Sequence, residues 1–515
     1  MNHQPLALSL DFGTQSVRAL IINKQGQVLA ITRRVYQPTY LSTKPGEAEQ
    51  TAAFYWRELC AITQELKTKH ADLLAQVVTS SVTMFRDTAI CLDEHLKPVR
   101  NIILWLDQRM ATFEPFPFWI TVAYHLTGLY EMARLNSRRT MARWIRQHEP
   151  ENWAKTKYYV ALSTYFNYLL TGKLIDSAAN QVGRYPIDFE KASWYKPTHL
   201  KAAIFNIPVE KLAPLVKPGE VIGHITQQAA LETGLPEGLV VYATGPDKGA
   251  ETIGTGSLSP DVANISYGTS CTITVSNPKY VEPEPFMPAY PAIIPHLYNS
   301  ETHVNRGYWM ISWFIQQFAH KENVEALIDK LAIEEVLNKE LLRIPPGSEG
   351  LVLSPYWGPG LRRPEAKGAI IGWSDGHTKA HMYRAIIEGI AFSLKEGYLS
   401  IQQRQKKKIT SLHVSGGGSK SDAICQITAD IFGLPVTRIQ TPEASSLGIA
   451  IASFLAAKEF KTPEEAVQAM VHVKDTFYPN QDNHQRYNYL FKKVYTKIYP
   501  RLLPVYKDII RFNQQ

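Results

Sequence analysis

Five short stretches of this 515-residue chain carry side chains that could do chemistry, and each stands at the end of an apolar run. Asp11-Phe-Gly13-Thr14-Gln15-Ser16 separates two such runs, at 6–10 and 17–22. It offers close backbone approach at Gly13, two hydroxyls, free N–H groups and an acid able to hold a metal, the needs of a phosphate. Asp247, within Gly245-Pro246-Asp247-Lys248-Gly249, ends another run; an aspartate so placed can take a proton from an attacking hydroxyl. Arg86-Asp87 joins donors to acceptors, a combination matched to neighbouring hydroxyls of a polyol. Gly268-Thr269 repeats the Gly13-Thr14 pattern of strand, Gly-Thr turn and strand at a distance of 255 residues. Gly416-Gly417-Gly418 lets backbone lie flat against a base or ribose. Each stretch also admits a plain role: a hairpin tip at Asp11, a turn or N-cap at Asp247, a surface ion pair at Arg86-Asp87, a tight turn at Gly416, and core packing for Trp105.

Taken together, two Gly-Thr turns could grip one polyphosphate from both sides of a cleft, with Asp247 near the boundary between two halves. Phosphoryl transfer from ATP to an alcohol needs little more: phosphate turns, a divalent cation and a carboxylate to receive the hydroxyl proton.

The elements that must hold these groups are legible from periodicity. Short apolar runs predict strands at 6–12, 17–22, 28–35, 77–84, 89–92, 102–106, 239–244, 262–267, 271–275 and 412–415. Helical spacing predicts helices at 51–70, 308–318, 379–403 and 421–432, and a mostly helical stretch over 120–172. A final amphipathic helix is expected over 483–512, bent near Pro500 and Pro504. We place the domain limits at 1–258, 259–482 and 483–515, the last being the helix packed on the body.

Composition is that of an ordinary globular protein, 45% hydrophobic and 20% charged, and long enough for two domains. No run is apolar enough to cross a membrane, and Met1-Asn-His-Gln-Pro lacks the form of a signal peptide. The net charge of +8 is mild; Arg138-Arg139 and Lys406-Lys407-Lys408 lack the interleaved aromatics of a nucleic-acid groove. His377 and His381 have helical pair spacing but no evident third zinc ligand. Four separated cysteines read as reduced thiols, so a cytoplasmic location is expected, with no nucleic-acid or membrane partner. A homodimer is compatible with this reading.

At this point the order of motifs becomes specific. Leu10-Asp11-Phe-Gly13-Thr14-Gln15-Ser16, Phe85-Arg86-Asp87-Thr88, Trp105-Leu-Asp107-Gln-Arg109, Asp247, Gly268-Thr269 and Ser415-Gly-Gly-Gly-Ser-Lys-Ser-Asp422 resemble the FGGY carbohydrate kinases. Glu443-Ala-Ser-Ser-Leu-Gly448 resembles that family's late signature. The resemblance implies an α/β chain with the actin-like ATPase fold, two ribonuclease-H-like domains, and ATP, Mg2+ and a sugar or polyol in the interdomain cleft. It carries the catalytic base to Asp247 and metal-linked phosphate binding to Asp11, with Asp247 also near the metal. Gly13, Thr14, Gln15, Ser16 and Arg18 match the first phosphate segment, Gly268 and Thr269 the second, and Gly417, Gly418 and Asp422 the adenosine contacts.

On the acceptor side the match implies Arg86, Asp87, Trp105, Asn136, Asp247 and Lys248. Several of these depart from the glycerol kinases: Asp87 is one methylene shorter than their Glu, Asn136 replaces a tyrosine, and Lys248 stands in place of Gln. The Gln-Met-His-Gly segment of xylulokinases is replaced by Thr83-Met84-Phe85-Arg86. The expected activity is therefore ATP-dependent phosphorylation of a small sugar or polyol. The alternatives are a glycerol or autoinducer-type kinase, and a non-phosphorylating actin-like ATPase or sugar sensor.

Overall fold

The computed structural model describes residues 4–512 except 286, 358, 359, 361 and 362. Its frame is two mixed sheets of nearly the same design. In the first, β1 (Leu6–Phe12), β2 (Ser16–Ile22) and β3 (Val28–Val35) form an antiparallel meander. On the other side of β1, β4 (Val77–Met84) runs parallel. Beyond it lie β5 (Val221–His224) and β6 (Val240–Tyr242), in the order β5-β6-β4-β1-β2-β3, with β6 parallel to β4. In β1, β2 and β4, short runs rich in Val, Ile and Leu and buried on both faces explain why these segments are central strands and not helices.

The second sheet restates the scheme. Strands β7 (Val262–Tyr267), β8 (Cys271–Asn277) and β10 (Tyr298–Val304) form its meander, with the short β9 (Tyr290–Pro291) at the edge. Parallel to β7 runs β11 (Ser411–Gly416), followed by β12 (Val436–Ile439) and an antiparallel β13 (Val473–Phe477). The order is β9-β10-β8-β7-β11-β12-β13. From meander to parallel pair, the two sheets match strand for strand.

Six helices cover and join them: α1 (Ala52–Lys69), α2 (Leu162–Thr171), α3 (Asp247–Gly254), α4 (Lys379–Gln405), α5 (Asp422–Phe432) and α6 (Ala444–Ala456). Thr51 caps α1 by accepting from the Phe54 N–H. Ile386, Ile390 and Leu394 of α4 join the second sheet's core. The connections between the sheets are crossed. Helix α3 follows the first sheet in sequence but touches the second, where Lys248 reaches Ser266 of β7. Helix α6 follows β12 but lies on the first sheet: Ser9 Oγ donates to the Ser446 carbonyl at 2.8 Å, and Thr79 Oγ1 to the Ser453 carbonyl at 3.3 Å.

The two helices meet backbone to backbone. A Cβ on Gly254 would fall 1.8 Å from the Ala444 carbonyl oxygen, and one on Gly448 would fall 2.0 Å from that of Ala250. Around this crossing a third core draws on both halves, with Ala7, Leu20 and Ile22 beside Ile253, Leu447, Ile451 and Phe454.

Two expectations need correction. Residues 120–172 hold several helices, but a buried strand, Tyr158–Ala161, interrupts them and pairs with Ala89–Leu92. Tyr-Tyr-Val-Ala is too short to break a helical pattern on periodicity alone. The C-terminal helix, expected as one element over 483–512, is interrupted ahead of its prolines. Thr496–Phe512 runs through Pro500 and Pro504, while a π-helical turn over Phe491–Tyr495 separates it from Gln481–Leu490. Tyr487, Phe491, Tyr495 and Ile498 are buried in the second core, so packing overrides local preference there. Among the described residues no helix is long and apolar enough to cross a membrane.

Candidate active site

In a parallel sheet the carboxyl ends of neighbouring strands share one edge, where ligands collect. Strands β1, β4 and β6 therefore deliver Asp11–Ser16, Phe85–Asp87 and Gly245–Asp247 to the same edge of the first sheet. Strands β7 and β11 do so for Gly268-Thr269 and Gly416–Gly418, with Tyr267 paired to Gly416. The sequence motifs converge because each closes a parallel strand.

Hydrogen bonds fix the loops that carry them. Thr83 Oγ1 donates to the Gly245 carbonyl at 2.7 Å and Thr244 Oγ1 to the Val82 carbonyl at 2.9 Å, tying the Asp247 loop to β4. Trp105 Nε1 donates to Thr14 Oγ1 at 3.2 Å, and its backbone N–H to Thr88 Oγ1. Trp105 thus joins the first phosphate turn to the Arg86-Asp87 loop. The Gly13 N–H closes its turn on the Ser16 carbonyl, and the Gln15 carbonyl accepts from Tyr36 N–H.

Asp11 is only 4% exposed, and burial together with the charges of Asp247, Glu443 and Glu251 raises its pKa to about 6 against the pull of Arg18. Arg18 lies 3.6 Å from Asp11 and 2.6 Å from Glu443, so it spans from β2 to the start of α6. Asp247 opens α3. Burial holds its carboxyl above the usual range, assisted by Glu251 and opposed by Lys248 and Arg86. These groups lie in one another's electrostatic fields, so Asp11, Asp247, Lys248, Arg18 and Arg86 form one constellation.

Four carboxylates sharing a field, two of them shifted upward, suit a cation. Among the described residues no group of three or more His, Cys, Asp or Glu has metal-holding geometry. Magnesium bound by one or two carboxylates, water and phosphate needs no such cage. Asp11 and Asp247 fit that mode.

The acceptor side is arranged differently from the expected Arg-Asp pair. Arg86 turns away from Asp87 and bridges to Glu301 on β10 of the other sheet, with Nη1 at 3.2 Å from Oε2. Tyr290 also donates to Glu301, at 2.7 Å. Burial pushes the Glu301 carboxyl up, but the Arg86 charge, the hydrogen bonds from Arg86 and Tyr290 and the nearby His303 together hold it below its usual pKa. Asp87 adopts a left-handed backbone, φ 55°, and ion-pairs with Arg184. Its N–H donates to the Val182 carbonyl at 3.1 Å. An Asp held in that conformation costs energy that its surroundings must offset.

Part of that offset traces to Asp176, fully buried. It accepts from Ser163, Thr164, Asn167, Asn180 and Gln181 side chains and from the Ser177 N–H, at 2.5–3.0 Å. These bonds fix the turn Ala178–Gln181, which leads directly to Val182 and Arg184. Asp176→Ala leaves those donors unsatisfied and will lower stability by about 3–5 kcal/mol in denaturant unfolding. A loss under about 1 kcal/mol would show that water or other groups replace the carboxylate.

Other expected site residues are carried by helices and turns. Asn136 lies in the last turn of Tyr130–Arg138, its carbonyl accepting from Thr140 Oγ1. Arg139, just beyond, is the residue of this turn that feels Asp87 and Arg184; burial and Arg184 push its pKa down to about 10. Gly418 backs onto Tyr308, whose hydroxyl would lie 2.3 Å from a Cβ there, whereas a Cβ on Gly417 would meet only the Tyr267 carbonyl oxygen, at 3.9 Å. Asp422 is exposed in the first turn of α5 and pairs with Arg438 at 2.8 Å. His377 and His381 accept from the Ser374 and Thr378 N–H groups beside the start of α4, a capping role.

Sequence reasoning missed Glu301, Arg184, Arg139 and Glu251 as members of the site. Glu301 carried one signal, an acid within an otherwise strand-like run.

Comparison with known proteins accords with this geometry. The profile of the FGGY family of carbohydrate kinases, N-terminal domain, matches residues 6–254, and that of its C-terminal domain matches 263–457. An uncharacterized sugar kinase of Escherichia coli, YgcE, is 28% identical over 491 residues, covering 95% of this chain and 92% of that protein. A xylulose kinase of Lactococcus lactis is 25% identical, with 99% of each chain covered. The crystal structure of xylulose kinase from Rhodospirillum rubrum superposes with TM-score 0.80 at 23% identity, covering 98% of this chain and 100% of that one. That likeness carries the fold, and the expected two-domain actin-like architecture holds.

Proposed function

The chain belongs to the FGGY family of carbohydrate kinases, and from that premise we propose how its cleft performs the reaction. The protein is an ATP-dependent phosphotransferase whose acceptor is a hydroxyl of a small sugar or polyol. The observation that carries the residue assignment is the convergence of Asp11, Asp247 and Arg86 at the carboxyl edge of β1, β4 and β6, facing Gly268-Thr269.

The β- and γ-phosphates of ATP rest against the Gly13–Ser16 and Gly268-Thr269 turns. The adenosine lies along Gly416–Gly418, with Gly417 the open approach and Asp422 at its rim. Asp11, with Asp247 nearby, would hold Mg2+, which would supply charge neutralisation at the phosphates. Arg18, its guanidinium shared between Asp11 and Glu443, orients the Asp11 carboxylate. Asp247 accepts the acceptor's proton as its oxygen attacks phosphorus. A carboxylate is a weak base, and it suffices because the proton leaves late, when the oxygen has lost density to phosphorus. Arg86, Asp87, Trp105 and Asn136 border the acceptor, joined by Glu301 and Arg184. We place the reaction in the cytoplasm, where Cys60, Cys91, Cys271 and Cys425 remain free thiols.

The xylulose, gluconate and glycerol kinases among its relatives span ketose, acid and polyol acceptors, so the screen must cover all three. ATP consumption in a coupled assay should require one of these acceptors; equal turnover without any would favour an ATPase. With the true acceptor, kcat/KM should rise with pH through about 6 and then level. Asp11, raised to about 6, is protonated and inactive on the acid side, and burial raises Asp247 in the same direction. A profile flat from pH 5 to 8 would remove the ionisation of Asp11 from the mechanism.

A further inference from the structure

Lys248 was expected to touch the acceptor, but its side chain leads elsewhere. It is the second residue of α3, directly after the proposed base, and its ammonium crosses to the other half of the molecule. Nζ donates to Ser266 Oγ at 2.7 Å and lies 3.3 Å from both oxygens of Glu251. A Cβ placed on Gly268 would sit 3.1 Å from Nζ, so the charge stands against the second Gly-Thr turn. The side chain is only 12% accessible. Burial opposes its charge, yet Glu251 and Asp247 more than restore it, and Lys248 stays protonated above its ordinary range.

We infer that Lys248 is a catalytic residue that stabilises the phosphoryl group in flight; it is not an acceptor-binding residue. The inference rests on the kinase reading above. In that reaction the acceptor oxygen forms a bond to the γ-phosphorus, and the bond from phosphorus to the β-phosphate oxygen breaks, its electron pair leaving with ADP. The acceptor proton passes to Asp247. Lys248 keeps all its protons throughout and donates hydrogen bonds to equatorial oxygens of the transferring group. Its position fits this role because the phosphoryl must travel between the Gly268-Thr269 turn and Asp247, and Nζ, held by Ser266, stands against the first while its backbone adjoins the second. Ser266 and Glu251 hold the ammonium in place before substrate arrives, so little reorganisation accompanies the chemical step.

The rival account makes Lys248 a strut, joining α3 to β7 through Ser266 and nothing more. Transition-state mimicry separates the two. Binding of ADP alone and of ADP with aluminium fluoride and magnesium should be measured for the wild type, Lys248→Met and Lys248→Arg, with kcat on the acceptor found by the screen. The inference expects Lys248→Met to lower kcat and the affinity for the ADP–aluminium fluoride complex alike, by roughly 10²–10³-fold. ADP alone should change by no more than about threefold, and Lys248→Arg should recover part of both losses. Four outcomes overturn it: a Lys248→Met enzyme within about threefold of wild-type kcat, an unaltered ADP–aluminium fluoride affinity, an equal loss of ADP and ADP–aluminium fluoride binding, or a folded Lys248→Arg protein no better than Lys248→Met. A wild type that phosphorylates no acceptor would instead defeat the kinase reading on which the inference stands.

Discussion

Replacing Asp247 by asparagine will lower kcat by roughly 10²–10⁴-fold, the range that one positioned general base contributes. Asparagine preserves the size of the side chain and can still accept from the Lys248 N–H, which donates to Asp247 Oδ1 at 2.9 Å. What it loses is the ability to take a proton. Helix α3 should therefore still start where it does, and the phosphate turns, built on other strands, should keep ATP affinity within about threefold. The effect should fall on kcat and kcat/KM equally, the mark of an interaction made in the transition state. The variant also removes a buried carboxylate that burial had pushed upward, so its stability at neutral pH should match or exceed that of the wild type. Turnover within tenfold of wild type would reassign the base. A collapse of ATP affinity would instead make Asp247 mainly a metal ligand.

The second large effect is structural. Gly448→Ala puts a methyl where the Ala250 carbonyl oxygen already lies, 2.0 Å away, on a facing helix that has no side chain to move aside. Overpacking in ordinary cores costs about 1–3 kcal/mol when side chains can shift. Here only backbone can yield, so the loss should reach or pass the upper end, about 3 kcal/mol. Gly376→Ala is the matched control, since a Cβ there meets nothing within 4 Å. Unfolding in denaturant should give the control within about 0.5 kcal/mol of wild type and Gly448→Ala far below it. Activity should fall too, because α3 carries Asp247 and Lys248 at its first turn and cannot shift without them. Equal stability of the two variants would mean that the helices part at little cost and that the crossing is not a fixed axle.

The sheets were legible because their strands are short apolar runs rich in β-branched residues and punctuated by Gly-Thr turns. The phosphate and base residues were legible for a related reason: each motif closes a parallel strand, so sequence position already fixes the edge at which it lands. Glu301, Arg184, Arg139 and Glu251 have no such marker. They are single charges within ordinary elements, and only the juxtaposition of the two sheets brings Glu301 to Arg86. The same limit applies to Arg86-Asp87. Adjacency in sequence suggested a joint grip on hydroxyls, but the left-handed backbone at Asp87 sends its carboxylate to Arg184 and the guanidinium across the cleft. The Tyr158–Ala161 strand escaped because four residues are fewer than any periodic signal requires.

The placement of α6 has a bearing on synthesis. The face of the first sheet that carries Ala7 and Leu20 is covered by a helix that begins 360 residues after the end of β4. At ordinary ribosomal speeds, the nascent sheet waits roughly 20–70 s for its cover. Through that interval an apolar surface that the finished enzyme never shows lies open, and its first half is a client for whatever shields unfinished chains. The order of the gene thus sets a vulnerability in time that the folded molecule conceals.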